Sequence, residues 1–499
     1  MFPYLSFMTF FPLVGAVLIA LLPKGKDGLI KNIALISTLP PLAAAVKIFL
    51  SFDRTSTTMQ FVEGPYNWIQ AFNIQYYMGI DGLSVSMVLL TALIATISIL
   101  ASWNIDKQVK GYFSLILLLI TGMFGVFCAL DFFLFYVFWE VMLLPMYFLI
   151  GVWGGPRREY AAIKFFLYTL LGSVLMLLVM LAFYFYSEGN TFNLVTLANQ
   201  GIHQGPLLNP NFRIACWLGL FICFAIKVPI VPFHTWLPDA HVEAPTAISV
   251  ILAAILLKMG VYGILRINYP ILPDTTAHFS NMIAAIGMIG IVYGALCAMA
   301  QKDFKKLIAY SSVSHMGFCL LGMASFTPEG LNGAVLQMFN HGVITAQLFL
   351  LVGVVYDRAH HREIAGFGGL AKIMPRYATM TSLAFFAALG LPGLSGFVSE
   401  VLCFMGGFKT FRLYTIVSVS GVVLTAAYML WTYQRVFLGQ VNEKYKSLPE
   451  INARELATLV PLAIITVLVG VYPKFALDLL NTSMTALSKV VESKSLAGL

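Results

Sequence analysis

The sequence predicts an all-α, multi-pass membrane protein of about fourteen transmembrane helices. Three observations support this prediction: an apolar composition, a regular series of long apolar runs, and cations that cluster in every second connecting loop. Hydrophobic residues make up 59% of the chain and charged residues only 10%, whereas a soluble domain carries about 25% charged residues. A soluble globular fold is therefore excluded. The first apolar run has no basic leader and no small-residue cleavage site, so we expect it to be a retained helix.

A helix that crosses a bilayer needs about 20 mostly apolar residues. Runs of this kind occur at 5–22, 30–50, 79–103, 112–129, 132–150, 162–186, 213–233, 244–265, 280–299, 306–325, 334–356, 377–405, 411–433 and 456–478.

The distribution of cations predicts the orientation of these helices, because loops on the cytoplasmic side are enriched in Lys and Arg. The loops after helices 1, 3, 5, 9, 11 and 13 hold most of them: Lys24, Lys26, Lys31, Lys107, Lys110, Arg157, Arg158, Lys302, Lys305, Lys306, Arg358, Arg362, Lys372, Arg376, Arg435, Lys444, Lys446 and Arg454. Both termini are then expected on the outer side of the membrane. The net charge of +8 reflects this topology and does not indicate binding to nucleic acid.

Two of the predicted helices are interrupted by proline-containing segments, the seventh at 227–232 and the twelfth at 390–396. Proline lacks a backbone donor and disrupts the preceding turn, and exposed backbone at membrane depth is tolerated only where protein or water covers it. The breaks lie five helices apart, so we expect two inverted five-helix repeats, each with a broken helix, as in transporters. The alternative is a pair of incidental proline kinks.

The predicted organisation has four parts. Helices 1–3 occupy 1–103, the first five-helix repeat 104–268, the second and inverted repeat 275–438, and the last helix with an outer C-terminal tail 439–499.

Ionisable residues within the apolar runs are the candidate functional residues, because a charge at the bilayer centre costs about 3 kcal/mol by insertion scales. Glu140 lies in the middle of the fifth run, and Lys227 precedes the first break. Burial favours the neutral forms of a Glu and a Lys and a nearby opposite charge favours the charged forms, so a Glu140–Lys227 pair would hold or release a proton according to its separation. The alternative for Glu140 is a static carboxylate satisfied by neighbouring donors.

Lys258 in the eighth run and Glu400, eight residues after Pro392, extend this row. Two alternatives remain open. Lys258 could extend outward past Tyr262 towards Arg266, and Glu400 could reach solvent at an outer helix end.

Three further residues are weaker candidates for a proton relay. His315 and His341 lie inside the tenth and eleventh helices, and a neutral imidazole both donates and accepts a hydrogen bond. The alternative for each is a core histidine whose hydrogen bonds are satisfied by neighbouring groups. Lys164 lies near the start of the sixth helix. The alternative to a relay role is that it neutralises local charge or pairs with Glu159.

Metal and redox sites on this chain are not expected. The segment 234–243 contains His234, Asp239, His241 and Glu243, but it has two prolines and no metal-site spacing. We expect a tight inner connection there, with Asp239 or Glu243 capping the next helix. The six cysteines are scattered without a CxxC pair, which indicates neither an iron–sulfur cluster nor a disulfide framework.

Four segments carry a resemblance to a known family. The runs FYVFWE at 135–140, KVP at 227–229 continuing through HTWLPDAH at 234–241, LIAYSSVSHMG at 307–317 and LPG at 391–393 are similar to signatures of the antiporter-like membrane subunits of proton-pumping NADH:quinone oxidoreductase, respiratory complex I. The resemblance extends over essentially the whole chain and is closest to the chain M (chain 4) group. The length of the chain and the acid at Glu400, where sister chains usually have Lys, support its assignment to the chain M group.

The resemblance implies a proton channel without a redox centre of its own. NADH, FMN, iron–sulfur clusters and quinone would then bind other subunits, and the electron donor would be NADH or ferredoxin. Partners would be the other membrane-arm and peripheral subunits, including neighbouring antiporter-like chains, and the location a bacterial inner membrane. The hypothesis is that a proton on Lys227 passes through waters, with or without His315 and His341, to Lys258 and Glu400 and is released outward. A multisubunit cation/proton antiporter and an inactive membrane scaffold are the rival functions.

Overall fold

The structure is a computed structural model that describes residues 2–23, 25–200 and 208–495; Lys24 of the first cationic loop lies outside this part. Within it, thirteen helices are long and apolar enough to cross a membrane. The remaining predicted helix, the twelfth at 377–405, is present as two shorter segments on either side of the predicted break.

The helices that occupy the fourteen predicted places are numbered in chain order. They are α1 Tyr4–Leu21, α2 Asp27–Ser51, α3 Gly82–Ala101, α4 Val109–Cys128, α5 Phe132–Trp153, α6 Arg158–Tyr186, α7 Pro210–Lys227 with Trp236–Glu243, α8 Thr246–Ile271, α9 Ser280–Met299, α10 Phe304–Ala324, α11 Pro328–Ala359, α12 Pro375–Ala388 with Ser395–Thr410, α13 Arg412–Phe437 and α14 Ala453–Val471. A further helix, α15, spans Lys474–Ser495. Short helices lie at Leu194–Gln200, Pro273–His278 and Leu370–Ile373.

An antiparallel hairpin between α2 and α3 was not predicted. Its strands are β1, Gln60–Ile69, and β2, Ile74–Ile80. The third helix was therefore predicted to begin too early, because residues 79 and 80 belong to β2 and α3 starts at Gly82 with Asp81 as its N-cap. The aromatic and β-branched residues of this segment, bounded by Gly and Pro, are the signal that points to strands.

The break in α7 falls where the sequence predicts it. The first segment ends at Lys227, and the second begins at Trp236. The indole of Trp236 donates to the carbonyl of Ile226 at 2.9 Å, which satisfies a backbone acceptor that the interrupted helix leaves without its usual donor. The second segment is a helix rather than a tight connection, and α8 follows it after two residues.

The predicted capping of α8 by Asp239 or Glu243 is wrong. The N-cap of α8 is Pro245, without a side-chain hydrogen bond. Asp239 instead pairs with Lys164, and Glu243 accepts from the backbone amide of Arg157. Both carboxylates therefore fasten the second segment of α7 to neighbouring elements.

The break in α12 depends on two glycines with positive φ, Gly390 at +77° and Gly393 at +91°, a region that side chains other than glycine rarely adopt. The Cβ that a substitution would add at Gly390 would lie 3.0 Å from Oε2 of Glu400. The break therefore brings backbone without a side chain against the Glu400 carboxyl group.

Helix α8 is buried along its whole length and contains two π-helical stretches, Leu252–Leu256 and Ile264–Asn268. It packs closely on α7, because a Cβ at Gly260 would lie 2.6 Å from the carbonyl oxygen of Phe224. A wider turn of this kind alters the direction of the side chains that follow it and is frequent at functional sites.

The C-terminal end also differs from the prediction. The last span was predicted to end at 478 but ends at Val471, because Tyr472 and Pro473 interrupt the helix. Helix α15 then packs against the first turns of two other helices: Asn481 accepts from Asn332 of α11, and Ser483 accepts from the amide of Gly82 in α3.

The buried Asp131 provides a test of the hairpin attachment. Its carboxylate caps α5 by accepting from the amide of Leu134 at 3.0 Å, and it also accepts from the amide of Gln75 in β2 at 3.2 Å. Asp131→Ala should lower the free energy of unfolding by about 1 to 2 kcal/mol through the lost cap, whereas Asp131→Asn retains an acceptor. Thermal unfolding of the detergent-solubilised protein measures the difference.

The pH dependence adds a second readout at the same residue. Burial raises the pKa of the Asp131 carboxyl group from 3.8 to about 6, so the stability linked to this group is greatest below about pH 4 and falls as pH rises towards 6. Asp131→Asn should remove this part of the pH dependence. Equal unfolding temperatures for the Ala and Asn variants at every pH would contradict the account.

Candidate functional site

A row of polar side chains that includes Lys258, His341, His315 and Glu400 runs through the buried helices α8, α11, α10 and α12. The ammonium group of Lys258 lies 2.5 Å from Nδ1 of His341. The rings of His341 and His315 have centroids 5.6 Å apart, and Nδ1 of His315 lies 3.1 Å from Oε1 of Glu400. The two histidines are therefore adjacent links between a buried lysine and a buried carboxyl group.

The backbone of α8 supports the lysine end of this row. In the first π-helical stretch the amide of Leu257 bonds to the carbonyl of Leu252, five residues back. Nζ of Lys258 donates to the carbonyl of Ala253 at 2.6 Å, and its side chain is fully buried. The alternative in which Lys258 reaches outward towards Arg266 is wrong, because Lys258 bonds to His341 and Ala253, and Arg266 bonds to Asp81.

The carboxyl end is equally enclosed. Glu400 is 6% exposed, so the alternative in which it reaches solvent at a helix end does not hold. His315, His341 and Glu400 line one small cavity together with Ala387, Ala388 and Gly396 beside the break in α12. The break is thus part of the wall around the Glu400 end of the row.

The outer ring atoms of both histidines can extend the row. Nε2 of His315 and Nε2 of His341 are buried and have no hydrogen-bond partner among the described residues. Buried polar atoms of this kind are commonly satisfied by water. A lysine ammonium group only donates, so His341 accepts at Nδ1 and carries its proton on Nε2 when Lys258 is charged.

Glu140 and Lys227 form a separate group. Glu140 lies in α5 just before an irregular turn at Met142. This turn accompanies Pro145, which lacks a backbone donor. Oε1 of Glu140 is buried without a hydrogen-bond partner among the described residues. Lys227 ends the first segment of α7, is 3% exposed and lies 5.0 Å from the ring centroid of Trp139.

Glu140 and Lys227 do not form a direct ion pair in this structure. None of the ion pairs in the described part of the chain joins Glu140 to Lys227, although Glu140 is close enough for its charge to act on the ammonium group. The indole of Trp139 and the ring of Phe165 lie against Lys227, which provides cation–π stabilisation in place of a carboxylate contact.

Lys164 lies at the edge of the site. Its ammonium group pairs with Asp239 of the second α7 segment at 2.7 Å, and Glu159 is not its partner. Asp239 and Lys164 are each partly exposed. The contact fixes α6 to α7 and lies apart from the row through His341.

Two buried residues near Lys258 were not singled out from the sequence, His241 and Lys305. His241 is fully buried in the second segment of α7, stacks on Phe349 with centroids 4.5 Å apart, and has no partner at either ring nitrogen among the described residues. Both Lys258 and Lys305 lie within electrostatic range of it. Its position on a helix that restarts after a break is the signal that could have identified it.

Lys305 was assigned to a cationic loop but is 4% exposed in the first turn of α10. Its ammonium group donates at 2.5 Å to the carbonyl of Ala244, at the end of the second α7 segment, where a positive charge is favourable for the helix dipole. The N-cap Asp303 before Phe304 is the signal that α10 has already begun.

A polar cavity of about 290 Å³ adjoins Lys305. Its lining includes Glu243, Lys305, Tyr356, Asp357 and Arg362 and comes from the ends of α3, α5, α7 and α11 and the starts of α8 and α10. These are the ends that the cation distribution places on the cytoplasmic side. The cavity and Lys305 therefore lie at the ends predicted to face the cytoplasm.

Comparisons with known proteins agree with this architecture. The family described as NADH:quinone oxidoreductase/Mrp antiporter, TM, matches residues 129–426, and the amino-terminal family of NADH-ubiquinone oxidoreductase chain 4 matches residues 29–127. The NADH-quinone oxidoreductase subunit M of Rhodobacter capsulatus is 43% identical over 495 residues, with 97% of this chain and 96% of the relative covered.

Solved structures show the same fold. A chain of respiratory complex I from Thermus thermophilus superposes with a TM-score of 0.88 and 30% identity, covering 98% of this chain and 99% of that chain. A chain of the Mrp complex from a Dietzia species has a TM-score of 0.85 and full coverage of both chains at 22% identity, which supports the fold alone.

The matches cover nearly the whole length with both family signatures in order, and the chain therefore belongs to the antiporter-like membrane subunits of NADH:quinone oxidoreductase, in the chain 4 (subunit M) group.

Proposed function

We propose that this chain is a proton-translocating membrane subunit of an NADH:quinone oxidoreductase, and that quinone reduction elsewhere in the complex drives proton transfer along its buried polar row. The observation that carries the proposal is the contact series from Lys258 through His341 and His315 to Glu400. Burying four ionisable residues at membrane depth costs free energy unless they interact with one another. Here each of the four lies next to another member of the series.

The bonding pattern gives the row a direction. Lys258 donates to Nδ1 of His341, whose Nε2 then carries a proton; a water between the two Nε2 atoms would pass it to His315, whose Nδ1 faces Glu400. Every bond in this arrangement points the same way. A proton added at Lys258 is thereby equivalent to a proton delivered at Glu400, as in relays through imidazole.

Uptake is proposed from the cytoplasmic side. The cavity is lined in part by Lys305, and both Lys305 and Lys258 lie within electrostatic range of His241. Lys305 donates to a carbonyl and stays fixed, so His241 is the residue that would deliver the proton. Glu400 releases it to the outer side, where both chain termini are placed by the cation distribution.

Glu140 and Lys227 are proposed as the control element of the row rather than as a link in it. A charge on Glu140 stabilises the ammonium form of Lys227, and movement of the carboxylate towards or away from it changes that stabilisation. A change of about 1.4 kcal/mol alters the proton affinity tenfold. The absence of a direct ion pair in the described residues leaves room for such movement.

The remaining parts of the proposal concern the assembly. NADH or ferredoxin, FMN, the iron–sulfur clusters and quinone are proposed to bind other subunits, and neighbouring antiporter-like chains to contact this one within a bacterial inner membrane. The inverted relation of the repeats 104–268 and 275–438 belongs to the same proposal; it is supported by a broken helix at the fourth place of each block.

A cation/proton antiporter subunit is the alternative function. The family that matches residues 129–426 includes Mrp antiporters, but the relative at 43% identity is an oxidoreductase subunit M. The acid at Glu400 also favours the oxidoreductase, since the related antiporters usually have Lys there.

Lys258→Ala is the direct test of the proposed function. It removes the donor to His341, and both proton pumping and NADH-driven quinone reduction should fall at least tenfold in membrane vesicles that contain the assembled complex. Lys409→Ala is the matched control, because Lys409 pairs with Glu329 at the exposed outer end of α12. Full pumping in an assembled Lys258→Ala complex would refute the proposal.

Glu140→Ala tests the control element separately. We expect loss of pumping and of quinone reduction, with recovery of at least half of both in Glu140→Asp, since the shorter acid retains the charge near Lys227. Initial rates of dye quenching and of quinone reduction in vesicles measure the two activities. If Ala and Asp gave equal rates, the charge at this position would have no role.

A further inference from the structure

A second buried polar cluster lies on the outer side of Lys258 and is not part of the row. It consists of Asp81, the N-cap of α3, together with Ser84, Tyr262 and Arg266. Arg266 donates to both carboxylate oxygens of Asp81, at 2.9 Å and 2.5 Å. All four residues are buried, with Ser84 and Tyr262 fully so.

The cluster follows Lys258 directly along α8. Tyr262 is four residues after Lys258 and Arg266 four residues further, within the second π-helical stretch. One helical turn is about 5.4 Å, so the three side chains occupy successive turns towards the outer end of the helix. Any proton that moved outward from Lys258 along α8 would meet Tyr262 first.

The hydrogen bonds of Tyr262 are fixed by its partners. Its hydroxyl donates to the carbonyl of Phe127 at 3.0 Å and accepts from Nε of Arg266 at 3.2 Å, because a carbonyl only accepts and a guanidinium group only donates. The hydroxyl of Ser84, 2.9 Å away, must then donate to Tyr262.

Ser84 is fixed in the same way. Its oxygen accepts from Nη2 of Arg266 at 3.0 Å, which is consistent with its donating to Tyr262. Proton hopping requires a hydroxyl that can accept a proton and then turn to pass on its own. Turning the O–H of Tyr262 would break its bond to the Phe127 carbonyl, and turning the O–H of Ser84 would break its bond to Tyr262.

We propose that Asp81, Ser84, Tyr262 and Arg266 form an outer seal that blocks proton escape from Lys258, so that the proton leaves Lys258 only through His341. This inference rests on the proposed function of the row. The four residues are positioning residues, because no side-chain hydrogen bond among the described residues joins them to Lys258, His341, His315 or Glu400. A proton leak at this point would let protons return across the membrane without driving any coupled step.

Arg266→Gln tests the seal in proteoliposomes that contain the assembled complex. An imposed pH gradient, followed with a fluorescent dye in the absence of any electron donor, should decay at least threefold faster than with the unmodified complex. Asp81 then lacks its partner and can take up a proton, and Ser84 and Tyr262 are free to turn. Quinone reduction should stay within twofold of the unmodified rate.

A second variant protects the test against misfolding. Tyr262→Phe keeps the ring and the Asp81–Arg266 ion pair but leaves the Phe127 carbonyl and Nε of Arg266 to be joined by water. We expect at least a twofold faster decay. Arg213→Gln is the matched control, because Arg213 forms an ion pair with Asp274 near the outer ends of α7 and α8, away from Lys258, and its decay rate should be unchanged.

Combination with Lys258→Ala identifies the route. In the double variant Lys258→Ala with Arg266→Gln, the decay should return to near the unmodified rate if the leak passes through Lys258. Unchanged decay in assembled Arg266→Gln and Tyr262→Phe complexes, or a leak that persists in the double variant, would overturn the seal. Failure of the proposed function is distinct, since it would appear as full pumping in Lys258→Ala alone.

Discussion

The low dielectric of the membrane interior is the constraint on which the structure depends, since a buried charge or backbone group is tolerated there only with a partner. Lys258 meets this constraint with the Ala253 carbonyl and His341, and Arg266 meets it with Asp81. Irregular helix geometry accompanies both, in the two π-helical stretches of α8. The backbone irregularities are therefore part of the polar site.

The broken helices serve the same end. At α7, the indole of Trp236 satisfies the Ile226 carbonyl, and the second segment carries His241 within electrostatic range of both Lys305 and Lys258. At α12, Gly390 leaves room for the carboxyl group of Glu400. Close packing of α7 on α8 at Gly260 completes the arrangement. The two breaks and the bulged helix thus bring polar groups from four helices into one row, from Lys258 to Glu400.

The sequence was sufficient to predict most of the spans and both breaks, because each break contains a proline within an apolar run. Charges within apolar runs likewise identified Lys227, Lys258 and Glu400, which are buried, and Glu140, which is partly buried. It also placed His315 and His341 on helices, but their adjacency depends on how α10 and α11 pack. The pair of Glu140 and Lys227 was predicted with a variable separation and stays a prediction; that the ring of Trp139 lies against the ammonium group is a contact that spacing does not reveal. Lys305 was assigned to a loop since charge alone cannot distinguish a loop cation from one in the first buried turn.

The central claim is that His341 carries the proton between Lys258 and Glu400, and the rate of proton pumping in His341→Gln tests it most directly. Glutamine retains a donor and an acceptor but cannot relay a proton. The account predicts at least a fivefold loss of proton pumping in the assembled complex, with no loss in His278→Gln, whose histidine is exposed. Pumping at the unmodified rate in assembled His341→Gln would contradict the account.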